Sequence, residues 1–227
     1  FHNNLKPVFV DIDLSNLSMS FKNIKKKINK KTIAIFLTHI LGLNGLTKEI
    51  IQTAKKNNII LIEDCCESHG ASFNSKKIGN YGLISNFSFY FAHHMTTIEG
   101  GMISTNSREV YEICRMLRSH GLVREVKNEK LRKFYEKKYS DLNPQFIFSL
   151  PAYNVRSTEI NAVLGLNQLK SLDQNIKKRN INFNYFLKHL NSEKYYSKFN
   201  LDGQSNYAFI IIFNEKYRNL SFRKKFE

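Results

Sequence analysis

The sequence predicts an α/β fold, a mostly parallel sheet with helices on its flanks. Residues 32–40 (TIAIFLTHI) and 58–63 (NIILIE) are short continuous apolar runs, the mark of strands buried on both faces. Between them, residues 47–57 carry Ile50, Ile51 and Ala54 on one helical face behind Thr47, a suitable cap. Strand, helix and strand at this spacing make a βαβ unit with a parallel pair.

The other elements follow in order. Residues 7–12 (PVFVDI) read as a short strand. Residues 20–30 read as an amphipathic helix with Phe21, Ile24 and Ile28 on one face. LGLNG (41–45) and KKIGNYG (76–82) read as turns. Residues 85–91 (SNFSFYF) and 102–106 (MISTN) read as strands. A helix is expected over 107–119 with Val110, Ile113 and Leu117 inward. Residues 124–147 are charged and aromatic without clear period, so a surface excursion is expected. Residues 157–195 read as helical, and YAFIIIF (207–213) as a strand of a second unit.

Composition narrows the class. The 227 residues carry a formal charge of +16, but the Lys and Arg are dispersed from Lys22 to Lys225. Dispersed charge does not make a groove-shaped footprint, so no nucleic-acid partner is expected. No run approaches the ~20 apolar residues of a membrane helix, and no secretory leader is recognisable. The chain opens at Phe1 without a methionine and reads as a fragment. Cys65, Cys66 and Cys114 suit neither a structural disulfide nor a CxxC zinc clip. No metal site is expected, and a reducing compartment, the cytoplasm, is.

Three segments carry candidate chemistry. In IEDCCESHG (62–70), Asp64 ends a parallel strand, where ligands gather in open α/β sheets. In FSFYFAHHMTTIEGGMIST (87–105), His93 and His94 sit in a stretch between Lys77 and Lys127 that has no lysine. A neutral imidazole can take a proton near physiological pH. If the segment is extended, the two rings point to opposite sides. EGG (99–101) suits a tight turn with glycine at positive φ. PAYNVRSTEINAVLGLNQL (151–169) carries Asn154 and Arg156 before a helix.

In this order, the three segments resemble the DegT/DnrJ/EryC1/StrS sugar aminotransferase family of fold-type I pyridoxal-phosphate enzymes. The resemblance implies an incomplete cofactor-binding large domain over 1–175. Over 176–227 it implies a connecting helix and the beginning of a small α/β domain. It implies that Asp64 meets the pyridine nitrogen of the cofactor, keeping it protonated. It also places Glu67 against the cofactor ring and Ser88 on the cofactor phosphate. Asn154 would reach the phosphate of a neighbouring subunit, which implies a homodimer with shared sites. His69 is read as structural, and Arg156 as an anchor for its loop or for an anion.

Most members of the family carry a lysine where this chain has His93. Two histidines before T-x-E-G-G, with Glu67 in place of the usual glutamine, resemble the nucleotide-sugar 3-dehydrases. That branch implies a GDP- or CDP-linked 4-keto-6-deoxyhexose as substrate, in 3,6-dideoxyhexose and O-antigen lipopolysaccharide biosynthesis. It implies pyridoxal or pyridoxamine 5′-phosphate as cofactor, L-glutamate as amino donor and His93 as the acid/base. An iron–sulfur cluster needs four thiolates. No cysteine occurs around 119–125, so the cluster-free sort is expected. The alternatives are a plain aminotransferase, disfavoured by the missing lysine, and a non-catalytic dimer partner.

Overall fold

A computed structural model describes residues 3–226. Its principal sheet is four-stranded, ordered β1-β2-β5-β6, with β1 Ala34–Thr38, β2 Ile60–Asp64, β5 Ile84–Ser88 and β6 Gly101–Thr105. The first three strands are parallel, pairing Thr38 with Asp64 and Asp64 with Asn86. β6 returns antiparallel along β5. The expected α/β architecture is therefore a mixed sheet with flanking helices. A two-residue hairpin, β3 Ser72–Phe73 and β4 Lys76–Lys77, intervenes. Asn74 and Ser75 both take positive φ at its tip, as a two-residue turn between twisted strands requires.

The βαβ reading stands. α2, Lys48–Lys56, begins at Thr47, whose side chain accepts the Ile50 N–H, and buries Ile50 and Ala54. α1, Phe21–Lys27, buries Ile24, with Phe21 and Ile28 packed beside it. The main core joins these to Ile35, Leu37 and Leu61, which all lie on one face of the sheet. The opposite face is open, with Phe36 49% exposed. Burial of β1 and β2 on both faces is thus corrected.

Other expectations also need correction. Residues 7–12 form no strand: a single bridge, Ile12 to Met19, is made, and Pro7 has no N–H to donate. β5 stops at Ser88, short of 91. α3, Arg108–Leu117, is capped by Ser107 but buries Glu112 and Met116, while Ile113 and Leu117 are exposed. Glu112 is tolerated inside because Arg108 Nη2 lies 2.7 Å from Oε1 and the Lys127 N–H donates to Oε2 at 2.7 Å. Residues 124–147 are not aperiodic: α4, Glu129–Lys138, sends Leu131 and Tyr135 onto a second small core of Met116, Val123, Val126 and Ile147, which Tyr139 joins. Residues 157–195 resolve into α5, Glu159–Leu169, and α6, Leu172–His189. Residues 207–213 form no strand, only a bridge from Phe213 to Tyr195. α7, Leu220–Phe226, ends the described chain, and no described helix is long and apolar enough to cross a membrane.

Candidate active site

The site is built where the parallel strands end. Side chains alternate along a strand, so register fixes which face each takes. Asp64, its partner Asn86 and Ser88 share one face, and Glu63 takes the other. Asp64 Oδ1 accepts the Asn86 side-chain amide at 2.8 Å and the Cys66 N–H at 3.2 Å. Oδ2 accepts no bond among the described residues. Asn86 also donates to Cys66 Sγ at 3.2 Å. Burial first, and the Asp64 carboxylate second, push the Cys66 thiol up to about 12, so it stays protonated and unreactive.

Glu67 is not a free loop carboxylate. It is half-buried, and its Oε2 accepts the Leu41 N–H at 3.0 Å. Ser88 Oγ accepts the Tyr90 N–H at 3.3 Å, which leaves its hydroxyl hydrogen to donate.

His93 lies in the 89–100 loop joining β5 to β6. The loop closes through Phe89 N–H to Gly100 O and Thr97 N–H to Phe89 O, both 2.9 Å. The segment is not extended, because the His93 N–H turns back to Tyr90 O at 3.0 Å. The two imidazoles consequently do not diverge. His93 and His94 both face His69, at centroid distances of 6.1 and 5.6 Å, and both face Tyr207, at 5.5 and 5.6 Å. The positive φ expected in EGG belongs instead to Ile98. Gly100 is needed for space, since a Cβ there would lie 2.4 Å from Thr97 Oγ1.

The three histidines differ in their environments. His94 Nε2 faces two carbonyls, Ser205 O at 2.9 Å and Asn206 O at 3.2 Å, so it carries the hydrogen. Burial chiefly lowers His94 to about 4, against the pull of the Ser205 carbonyl. Burial, then the His94 and His93 rings, lowers His69 to about 4 as well; the Ser88 main chain offsets this slightly. Both therefore stay neutral at working pH. His93 is half-buried, with Nδ1 shielded from solvent and unbonded.

On the core face, Glu63 is fully enclosed. Oε1 accepts the N–H groups of Tyr81 and Gly82 at 2.7 and 2.6 Å, and Oε2 accepts that of Gly79 at 2.7 Å. His39 Nε2 lies 3.4 Å from Oε2, while its Nδ1 accepts the Gly45 N–H. Burial favours a raised carboxyl pKa, but the donors from His39, Gly79, Gly82 and Tyr81 together outweigh it and hold Glu63 below the usual range. The donor atoms of His39, Glu63 and Cys65 lie within 4.8 Å of one another. The Glu63 oxygens already accept three N–H groups of the 79–82 turn, so this carboxylate organises the turn.

Asn154 stands apart from this edge. It is exposed, bridges to Ser119 and accepts the Arg156 Nε–H at 3.0 Å. The Arg156 side chain thus anchors its own loop.

Residues 1–225 match the DegT/DnrJ/EryC1/StrS aminotransferase family. The chain belongs to that family. A curated relative, GDP-4-keto-6-deoxy-D-mannose 3-dehydratase of Escherichia coli O55:H7, is 37% identical over 211 residues, covering 91% of this chain and 54% of the relative. The solved structure of the E. coli GDP-4-keto-6-deoxy-D-mannose-3-dehydratase with bound hydrated PLP superposes with a TM-score of 0.82 at 33% identity, covering 96% of this chain and 55% of that one. A GDP-4-keto-6-deoxymannose-3-dehydratase with a trapped PLP–glutamate geminal diamine gives 0.78 at 30% identity, over 96% and 56%. The chain spans about half the length of the curated relatives it matches.

Two residues of the candidate site escaped the sequence reading. Asn86 had a signal: it sits two residues before Ser88 in the same strand, hence on the same face. Tyr207 had none, because the two histidines that its ring meets, His93 and His94, are more than a hundred positions away.

Proposed function

We propose that this chain forms the catalytic part of a pyridoxal-phosphate-dependent nucleotide-sugar 3-dehydratase. The substrate class is a GDP-linked 4-keto-6-deoxyhexose, with a CDP-linked one as the alternative, and L-glutamate is the amino donor. The observation that carries the reading is a segment from 78 to 126 without lysine, in which His93 packs against His69 and Tyr207 in the loop that follows Ser88.

The side chains suit the cofactor. Asp64 Oδ2 is uncommitted and can face a pyridinium N–H. Asn86 and the Cys66 N–H hold the other oxygen, which fixes the carboxylate's orientation. Ser88 keeps a hydroxyl hydrogen for a phosphate oxygen. We read Asn154, exposed and bonded to Arg156, as serving a second subunit of a homodimer.

The chemistry that pyridoxamine phosphate supplies when bound is an electron sink, which lets the C3 hydroxyl of the sugar leave. His93 takes the proton whose removal feeds that sink, and an imidazole rather than an amine leaves the cofactor without a covalent tether. Asp64 keeps the pyridine nitrogen protonated. His69 and His94, both neutral, surround His93 without adding charge.

The product decides the reading. With pyridoxal phosphate, glutamate and a GDP-linked 4-keto-6-deoxyhexose, mass spectrometry should show a sugar lighter by one oxygen atom, with one 2-oxoglutarate and one ammonia released for each sugar converted. An amino sugar would reject dehydration in favour of transamination.

A further inference from the structure

We propose that Tyr207 is the positioning residue of His93, held against the imidazole by a clasp formed from residues 204–207. The inference rests on the reading of His93 as the acid/base and extends it to a residue outside the three motif segments.

No hydrogen bond fixes the His93 ring among the described residues, so its orientation must come from packing. Three rings supply that packing: Tyr90 at 5.9 Å, His69 at 6.1 Å and Tyr207 at 5.5 Å between centroids. Tyr90 and His69 lie near His93 in sequence or strand order. Tyr207 is brought from the far end of the chain, and the means of bringing it are specific.

The clasp is pinned on both sides. Toward the sheet edge, Ser205 N–H donates to Gly42 O at 2.8 Å and Tyr207 N–H to Leu41 O at 3.1 Å. Ser205 Oγ–H donates to His69 O at 2.5 Å, and His94 Nε2–H donates to Ser205 O. Toward α6, Arg179 Nη1 donates to Tyr207 O at 2.6 Å and Asn206 N–H to Asn180 Oδ1 at 2.8 Å. Ser205 is fully buried. These bonds fix the backbone on which the Tyr207 ring stands.

The same contacts join His93 to Glu67. Leu41 accepts from Tyr207 through its carbonyl and donates to Glu67 through its N–H. After burial itself, the Glu67 carboxylate is the main influence holding the Tyr207 phenol above its usual range. The phenol is neutral at working pH, so it orients His93 without competing for its proton.

The test compares Tyr207→Phe with Tyr207→Leu and Tyr207→Met, the last as a milder filler should Leu fail to fold. The imidazole signals of His93, assigned by their loss in His93→Gln, are followed by NMR in each folded variant. The Phe variant should keep the wild-type signals, because the ring remains. Leu and Met should shift or broaden them. In the dehydratase assay, Leu and Met should lower kcat by about 10- to 100-fold, the scale of a small misplacement of a reacting group. KM should stay within about threefold, since ground-state binding is not touched, and Phe should restore kcat. Unchanged His93 signals in a folded Leu or Met variant would overturn the proposal. If the wild type shows no dehydration, the acid/base reading fails, while the NMR comparison still decides whether Tyr207 positions the ring.

Discussion

Replacing Glu63 with Gln tests how the sheet edge beside Asp64 is held. The carboxylate is fully buried and accepts three backbone N–H bonds, at 2.6, 2.7 and 2.7 Å, with His39 Nε2 at 3.4 Å. Glutamine keeps one acceptor oxygen. Its best placement leaves that oxygen on Tyr81 and Gly82 and turns the amide NH2 toward the Gly79 N–H and His39 Nε2–H, donor against donor. Losing one charge-assisted bond costs about 1.5–3 kcal/mol, and the stranded Gly79 N–H adds about 1–3 kcal/mol. The expected loss is about 3–5 kcal/mol, the range seen when one partner of a buried charged pair is removed.

Urea unfolding followed by circular dichroism measures this loss. A slope of about 2–3 kcal/mol/M would move the midpoint down by about 1–2.5 M. The difference also has a pH signature. The folded pKa of Glu63 lies below its ordinary value, so its stabilisation is full above that value. It is lost as pH falls through the folded pKa, and the gap between wild type and Gln should narrow there. A midpoint shift under about 0.3 M at neutral pH would refute the reasoning.

Other consequences are open to the same tools. His69 and His94 are both lowered to about 4 from an ordinary 6.5, so between those values the unfolded chain binds protons that the folded chain refuses. Stability should therefore rise with pH across that window, each histidine contributing up to about 1.4 kcal/mol per pH unit. His94→Gln should remove about half the slope, as read from urea midpoints at pH 5.5 and 7. Gly42 has φ of 84°, and a Cβ there would lie 1.8 Å from Ser205 O. Gly42→Ala should therefore break the 204–207 clasp and lower stability by roughly 2 kcal/mol or more; an unchanged melting curve would contradict this. Asn86→Ala frees Asp64 Oδ1 and should weaken pyridoxal-phosphate binding by about 10-fold in a fluorescence titration.

The candidate site residues lie in short contiguous segments at strand ends, where local pattern can be read. A continuous apolar run, Thr47 as a cap and Asp64 after NIILIE were enough to place β1, α2 and β2. The misreadings share a cause: apolar character was taken as burial. PVFVDI and YAFIIIF are apolar enough for strands, yet each finds a single bridge. In α3 the inward face was assigned to Ile113 and Leu117, whereas Arg108 and the Lys127 N–H make Glu112 the buried residue. The four-residue spacing of Leu131, Tyr135 and Tyr139 was readable and was passed over among the charges of 124–147. Tyr207 and the clasp could not be read at all, because contacts across so many residues leave no local pattern.

The most direct test of the central claim compares His93→Asn with wild type for cofactor binding and turnover together. Pyridoxal-phosphate affinity should stay within about threefold of wild type, because the proposed cofactor-holding residues are Asp64 and Ser88 rather than His93. Dehydration should slow by about 10²- to 10⁴-fold, the contribution of a general acid/base. Dehydration by His93→Asn at the wild-type rate, with cofactor bound normally, would contradict the claim.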